Sequence, residues 1–440
     1  MKQKESGPQG LSSQEIQFAE QLRSHPVIAA RFQSILATVR NAEGPLKTFD
    51  EVEGLVVAEM RQLGKAAVCA WAVRAEERVG QELKAQDPTV RSRKKKTLGW
   101  WCVFGWVAVR DRVWRSRSRS YIRPLPGRLG VTPRGLSRRL QRVLTDFGCE
   151  HSFAKVVARV GEHYGFEINA SAVRKTTLEH AKRARQKLEE HYAKPFRTLP
   201  AAGPKHIVAE LDGTMICTVA SGRRKGKKPR EWKEMRLAAA QVLGKAETVY
   251  AATFGEVGEV GRRLGHCARD AGRGLESRVH TLGDGAEWIR LQTREVFGEK
   301  GTFLCDYYHV SEYLAGAAPG CRAEAPDRWR RTQQARLKRG ASAKVIQELA
   351  GHLEPEGAPE GKTPVRDAHR YLANRTDCID YPGAIRMGLP IGSGMIESAH
   401  RHVLQARLKG AGTTWLPEHA DRIANLRVLR ANGKWPEFWN

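Results

Sequence analysis

The sequence predicts a mixed α/β fold in its second half, preceded by mostly helical, basic regions. Three observations carry that expectation. Between residues 203 and 309, β-branched and apolar stretches of strand length alternate with helix-length segments. Two of the strands deliver an aspartate beside a glycine, at Asp212-Gly213 and Asp284-Gly285. From 310 to 388 the strand pattern disappears, and helical stretches separated by Pro and Gly clusters take over.

The predicted strands are 206–220, 232–242, 247–254, 278–283 and 302–306, with helices at 256–273 and 285–298. Three consecutive strands, then helix, strand, helix, strand, is the element order of a ribonuclease-H-like mixed sheet. In that sheet the first and fourth strands are neighbours, so Asp212 and Asp284 are expected at adjacent strand ends. The first two strands are joined by the basic tip 221–228, which holds Arg223, Arg224 and Lys225. The 310–388 segment reads as an all-helical insertion, with stretches at 326–338, 341–353 and 364–374. Residues 389–440 then return to the core: a Gly-rich turn leads into a helix from Met395 to Leu408 that carries Glu397.

Residues 1–90 read as helical. Thr48 and Glu51 have capping-box spacing, and Val52, Val56, Met60, Leu63, Ala67 and Trp71 recur at three or four residues, the mark of a packing face. Residues 91–146 form a basic region, a degenerate β-ribbon or linker, with Arg115, Arg117 and Arg119 among interleaved tryptophans. Residues 147–200 have a helix-turn-helix layout. Phe153, Val156, Val157 and Val160 share one face, 163–166 turns, and a second helix opens with Arg174 and Lys175. A plain helical hairpin gives the same spacing.

Lys and Arg number 75 against 48 for Asp and Glu, a formal charge of +27 over 440 residues. That excess favours a polyanionic partner, with nucleic acid ahead of a membrane surface. No apolar run of about 18 residues is present and Met1 to Gln14 is polar, so a cytoplasmic, nucleoid-associated bacterial protein is expected. The eight cysteines include no C-x-x-C pair, which excludes a sequence-readable zinc site.

Taken singly, each acid has a structural explanation. Asp-Gly pairs make turns, Asp284 can cap the following helix, and Glu397 can answer the helix dipole or pair with His400 or Arg401. Glu210 lies on the same strand face as Asp212 and reads as a rim charge or a stand-in ligand. Glu287 is a further stand-in. Jointly, three carboxylates on separate elements of a basic chain point to divalent-metal phosphoryl transfer. Hard ions take oxygen ligands, and two ions about 3.5–4 Å apart need shared carboxylates.

Four segments carry a resemblance: Leu211-Asp212-Gly213-Thr214, Gly283-Asp284-Gly285-Ala286-Glu287-Trp288, Asp306-Tyr307-Tyr308-His309-Val310, and Gly388-Leu389-Pro390-Ile391-Gly392-Ser393-Gly394-Met395-Ile396-Glu397-Ser398. They resemble those of DDE transposases, in particular the Mutator-like bacterial insertion-sequence transposases of the ISKra type, over roughly residues 200–440. The resemblance implies a catalytic and metal-binding triad of Asp212, Asp284 and Glu397. It sets Asp306 and His309 near the site, with Mg²⁺ (or Mn²⁺) as cofactor. It also implies a transposase that binds the ends of its own element, cleaves a strand and transfers it to target DNA as a homodimer or higher oligomer. Arg401, Arg407 and Lys409 join the expected DNA contacts. Relatives often carry a cysteine pair near 114–125 that this chain lacks. A structure-selective nuclease on the same fold, and a non-catalytic DNA-binding relative, are the alternatives.

Overall fold

The computed structural model describes residues 12–40, 45–115, 120–220, 229–359 and 361–440. The expected contacts Arg117, Arg119, Arg223, Arg224 and Lys225 lie outside the described residues. The chain divides into two compact units, Met1–Thr177 and Leu178–Asn440, the divide falling inside one helix.

The first unit begins with helices α1 (Ser13–Arg23), α2 (Pro26–Arg40) and the long α3 (Phe49–Gln86). The expected capping box at Thr48 and Glu51 is present. The expected packing face is covered only in part: Val52, Val56 and Leu63 are half-buried, Met60 and Trp71 are more than half exposed, and the buried residues of α3 are Ala72, Glu76 and Gly80. Small residues let α3 lie close on a hairpin of β1 (Arg91–Cys102) and β2 (Gly105–Arg115), extended by the short β3 (Tyr121–Ile122). The ribbon region is therefore two long antiparallel strands. Leu98, Trp100, Val107 and Val109 form its core with Ala72, while Arg91–Lys96 stays exposed. After α4 (Pro124–Leu129) come α5 (Arg138–Glu150), α6 (Phe153–Tyr164) and the start of α7 (Ala170–Tyr192). Leu140, Leu144, Val156, Val160 and Val173 pack α5, α6 and α7 together, and Asn169 caps α7 through the Ala172 N–H at 2.7 Å. Arg174 and Lys175 are exposed on the first turns of α7.

The second unit is a mixed five-stranded sheet with helices on both faces. Its strands are β4 (His206–Val219), β5 (Arg230–Val242), β6 (Thr248–Thr253), β7 (Arg278–Gly283) and β8 (Gly301–Cys305), in the order β6-β5-β4-β7-β8. β5 is antiparallel to β4 and β6, whereas β7 runs parallel to β4 and β8. All five strands fall within two residues of the sequence prediction. Period-two alternation in β4 explains the layers. Ile207, Ala209 and Leu211 face a core completed by α8 (Val257–Asp270) and α9 (Glu287–Phe297). Val208 faces the opposite core.

That opposite core is built by the insertion: α10 (Tyr307–Cys321), α11 (Pro326–Lys338), α12 (Ser342–Ala350), α13 (Pro364–Ala373) and α14 (Tyr381–Arg386). Its described residues contain no strand. The insertion is not a detached cap. Leu314, Trp329, Leu349 and Leu372 share one core with Val208, Leu282 and Leu304 of the sheet. The chain then runs through α15 (Gly394–Ala399), a π-helical turn (His400–Gln405), α16 (Ala406–Leu408), α17 (Pro417–Ala431) and α18 (Trp435–Trp439). The predicted single helix from Met395 to Leu408 is thus interrupted by wider π turns, a feature often found at functional positions. Asn432, just past α17, exchanges two hydrogen bonds with the backbone of Tyr250 (2.8 and 2.9 Å) and so occupies polar groups of the edge strand β6. The eight cysteines are all free thiols. No helix among the described residues is long and apolar enough to cross a membrane.

Candidate active site

The β4–β7 ladder sets the geometry. Its parallel pairing runs from His206↔Arg278 to Glu210↔Leu282. Asp212 and Asp284 each lie two residues beyond the last pair of this ladder, Asp284 just past the end of β7 at Gly283. Gly283 is tightly packed, since a Cβ there would stand 3.3 Å from the Leu211 carbonyl and 2.8 Å from Ile289 Cδ1.

Asp212 is half-buried. Its Oδ1 accepts the Gly213 N–H at 2.7 Å, and its Oδ2 lies 3.1 Å from Nε2 of His400. His400 is 3 % exposed, and neither ring nitrogen has a hydrogen-bond partner of good angle. At that distance the two groups touch without an aligned hydrogen bond. Of the structural roles open to Glu397, the pairing with His400 is not the one found: His400 lies against Asp212.

Asp284 sits in a turn braced from two sides. Its Oδ1 accepts the Ala286 N–H at 2.9 Å, leading into α9. Its carbonyl accepts the Tyr371 hydroxyl, and the Gly285 carbonyl accepts Nε of Arg375 at 2.7 Å. Gly285 is required here. Its φ is +80°, and a Cβ would fall 2.5 Å from Tyr371 Oη. The insertion therefore fixes the position of an acid it does not itself supply. His309 takes part indirectly: its ring packs on Tyr371 at 5.8 Å, while its Nδ1 lies 3.4 Å from Glu312.

Glu210, read from the sequence as a rim charge or a stand-in ligand, has a different setting. It is 2 % exposed, so it is not a rim charge. Its Oε2 accepts the Ile396 N–H at 2.6 Å, which ties β4 directly to the helix bearing Glu397. Burial, and then the nearby Asp306 and Glu397 carboxylates, push its pKa up to about 8, against the pull of the Ile396 and Met395 amides. A glutamate between Ala209 and Leu211 in a strand is costly unless something answers it, and that was the available signal.

Asp306 is a brace. It is 2 % exposed and caps α10, its Oδ1 accepting the Tyr308 and His309 N–H groups at 2.6 and 3.2 Å. Its Oδ2 accepts the Ser393 N–H at 2.8 Å and the Ser393 hydroxyl. The Tyr307 N–H also donates to the Ile391 carbonyl at 2.9 Å. The 306–310 and 388–398 motifs are thereby one structural object, and Gly392 is packed against the Tyr308 ring too closely for a side chain.

Glu397 is exposed on α15 and has no ion pair among the described residues. Glu287, the stand-in ligand, is exposed and paired with Arg290 at 2.7 Å. Of the expected DNA contacts, Arg401 and Lys409 are exposed and Arg115 is half-buried. Arg407 is 6 % exposed, its guanidinium 4.7 Å from the centre of the Trp415 ring, which is a packing role and not the surface display a phosphate contact needs.

The oxygen donors match a hard divalent ion in kind. In number they fall short, because no group of three or more His, Cys, Asp or Glu side chains among the described residues is close enough to hold a metal. A family model described as an uncharacterised protein family, UPF0236, matches residues 274–437, less than half of the chain. The match includes Asp284, Asp306 and Glu397 and begins after Asp212. No curated protein matches the chain.

Proposed function

We propose that the protein is a DNA transposase of DDE type, acting on the ends of its own insertion sequence through a ribonuclease-H-like core. The observation that supports this best is the juxtaposition on β4 and β7. β4, which carries Asp212, pairs in parallel with β7, and Asp284 is the first residue past β7; the Glu397 helix is tied to Glu210 of the same β4 strand. The motif resemblance to Mutator-like insertion-sequence transposases falls on these same residues, and the charge of +27 suits a DNA partner.

In this reading Asp212, Asp284 and Glu397 hold Mg²⁺, or Mn²⁺ in its place, and their assembly into one site is part of the proposal. The ion would supply charge neutralisation at the phosphate. The chain's own residues do the positioning. Tyr371 and Arg375 fix the Asp284 turn, Glu210 seats the N-terminus of α15, and Asp306 holds the loop before it. The helices α6 and α7, with Arg174 and Lys175 exposed, would read element ends in a bacterial cytoplasm, as a dimer or larger assembly.

The test is magnesium-dependent nicking and strand transfer on labelled element ends. Asp212→Ala, Asp284→Ala and Glu397→Ala are each expected to abolish both steps while end binding survives. Nicking at the wild-type rate by Glu397→Ala would remove that residue from the scheme. Cleavage of branched DNA without strand transfer would point to a nuclease on the same fold.

A further inference from the structure

The helix α11 is held by one face only. Trp329, Gln333 and Leu337 are buried, and Trp329 Nε1 donates to Glu348 at 3.3 Å. The opposite face is turned outward, and there Arg328, Arg331, Thr332, Ala335, Arg336 and Arg339 line an open groove with Asp327 at its start.

The charge on this face is unbalanced. Residues 326–339 hold five arginines and Lys338 against one acid, Asp327. Asp327 is engaged by Arg330 at 3.0 Å, and Arg336 is engaged by Glu348 at 3.0 Å. Arg328, Arg331 and Arg339 have no acidic partner among the described residues. Like charges along one helix face repel, and an anion on the groove relieves that repulsion. Thr332 and Ala335 supply a low floor between the long arginines. From Arg328 to Arg339 the helix rises about 16 Å at about 1.5 Å per residue. That length spans roughly five base steps of duplex DNA at about 3.4 Å each. Lys338, on the same helix but outside the groove, lies with its Nζ 4.6 Å from the centre of the Tyr307 ring.

We propose that the outward face of α11 docks the phosphate backbone of duplex DNA, through Arg328, Arg331 and Arg339, as a contact separate from the acidic cleft. The proposal rests on the reading of the protein as a DNA-processing enzyme. It assigns the insertion a ligand of its own. The contact is to phosphates, so it adds affinity without adding sequence preference.

The experiment measures binding of the full chain to a fluorescent random-sequence duplex by anisotropy, over a series of salt concentrations, with calcium in place of magnesium. Three lost phosphate contacts at about 0.9 each should make the log–log salt slope of R328A/R331A/R339A shallower by about 2.7 than that of wild type. R328K/R331K/R339K should keep the wild-type slope. These side chains are on the solvent face, and circular dichroism of each variant checks that the helices persist. An unchanged slope in the alanine variant overturns the proposal. So does a loss confined to phosphatidylserine-containing vesicles, or tighter face-dependent binding to an RNA duplex of the same sequence. A wild type that binds DNA through this face yet never nicks it would remove the proposed activity and leave the groove standing. A wild type that nicks, beside an alanine variant of unaltered slope, would do the reverse.

Discussion

Replacing Glu210 by Gln should change how stability depends on pH, and the sign follows from the structure. The carboxyl has an ordinary value of 4.5 and is raised to about 8 by burial and by the Asp306 and Glu397 charges. In the folded state it therefore holds its proton through neutral pH, while the unfolded chain releases it above 4.5. The unfolded state binds fewer protons in this window, so stability falls as pH rises. The contribution is fully present below about 4.5 and is lost by the time pH passes about 8. A difference of about 3.5 units at 1.36 kcal/mol each amounts to about 5 kcal/mol at most. For a unit of this size that is roughly 10 °C or more in melting temperature. Gln keeps the carbonyl that accepts from Ile396 but has no proton to lose. In metal-free buffer the two proteins should melt together near pH 5, and Glu210→Gln should melt higher by pH 9. A wild-type minus variant difference that stays constant across that range, or widens towards acid, would refute the reasoning.

Two further substitutions probe the braces around the site. Asp306→Ala leaves the Tyr308, His309 and Ser393 amides without their acceptor, and should lower unfolding free energy by about 2–4 kcal/mol in urea titration. It should also reduce nicking less completely than loss of Asp284. Gly285→Ala adds a Cβ at a positive φ within 2.5 Å of Tyr371 Oη, and should cost about 2 kcal/mol or more. The pairing with Tyr371→Phe, which removes the opposing hydroxyl, should recover part of that loss in a double-mutant cycle.

Where one face of an element decides its fate, the sequence was readable. β7 was placed residue for residue because His280, Leu282 and their neighbours sit between a turn and an Asp-Gly, and α11 was placed equally well between Pro326 and Gly340. The long α3 failed for a physical reason. Apolar recurrence identifies a face that can be buried, whereas close packing on the β1–β2 hairpin selected the small residues Ala72 and Gly80. Glu210 was misread because a strand pattern gives the side of the sheet but not what covers it. Its cover, the N-terminus of α15, comes from 186 residues later in the chain. The π turn that begins at His400, the residue in contact with Asp212, is likewise invisible to a 3.6-residue period. Arg407 shows the limit of composition: a cation in a basic chain reads as a DNA contact until Trp415 is found lying on it.

The acids of the cleft are answered by different means, and the differences indicate where a cationic ligand would find free oxygens. Glu210 is answered by its own proton and the α15 amides. Asp306 is answered by three backbone N–H groups and a hydroxyl. Both are buried, and both hold α15 and its approach loop in place. Of the remaining three, Glu397 is exposed and Asp212 and Asp284 are half-buried. Asp284 uses one oxygen, on the Ala286 N–H; Glu397 uses none among the described residues; Asp212 uses one on the Gly213 N–H, and its other lies against His400 without an aligned hydrogen bond. A protein that only needed to bury acids would leave the least-satisfied ones scattered. Here they are the three that the motif resemblance names. One sits on β4, one just past the end of the neighbouring β7, and the helix of the third is tied to β4 through Glu210. Under the proposed function, a cation held by Asp212 would compete with His400 for its Oδ2, and the contact it would replace has no aligned hydrogen bond.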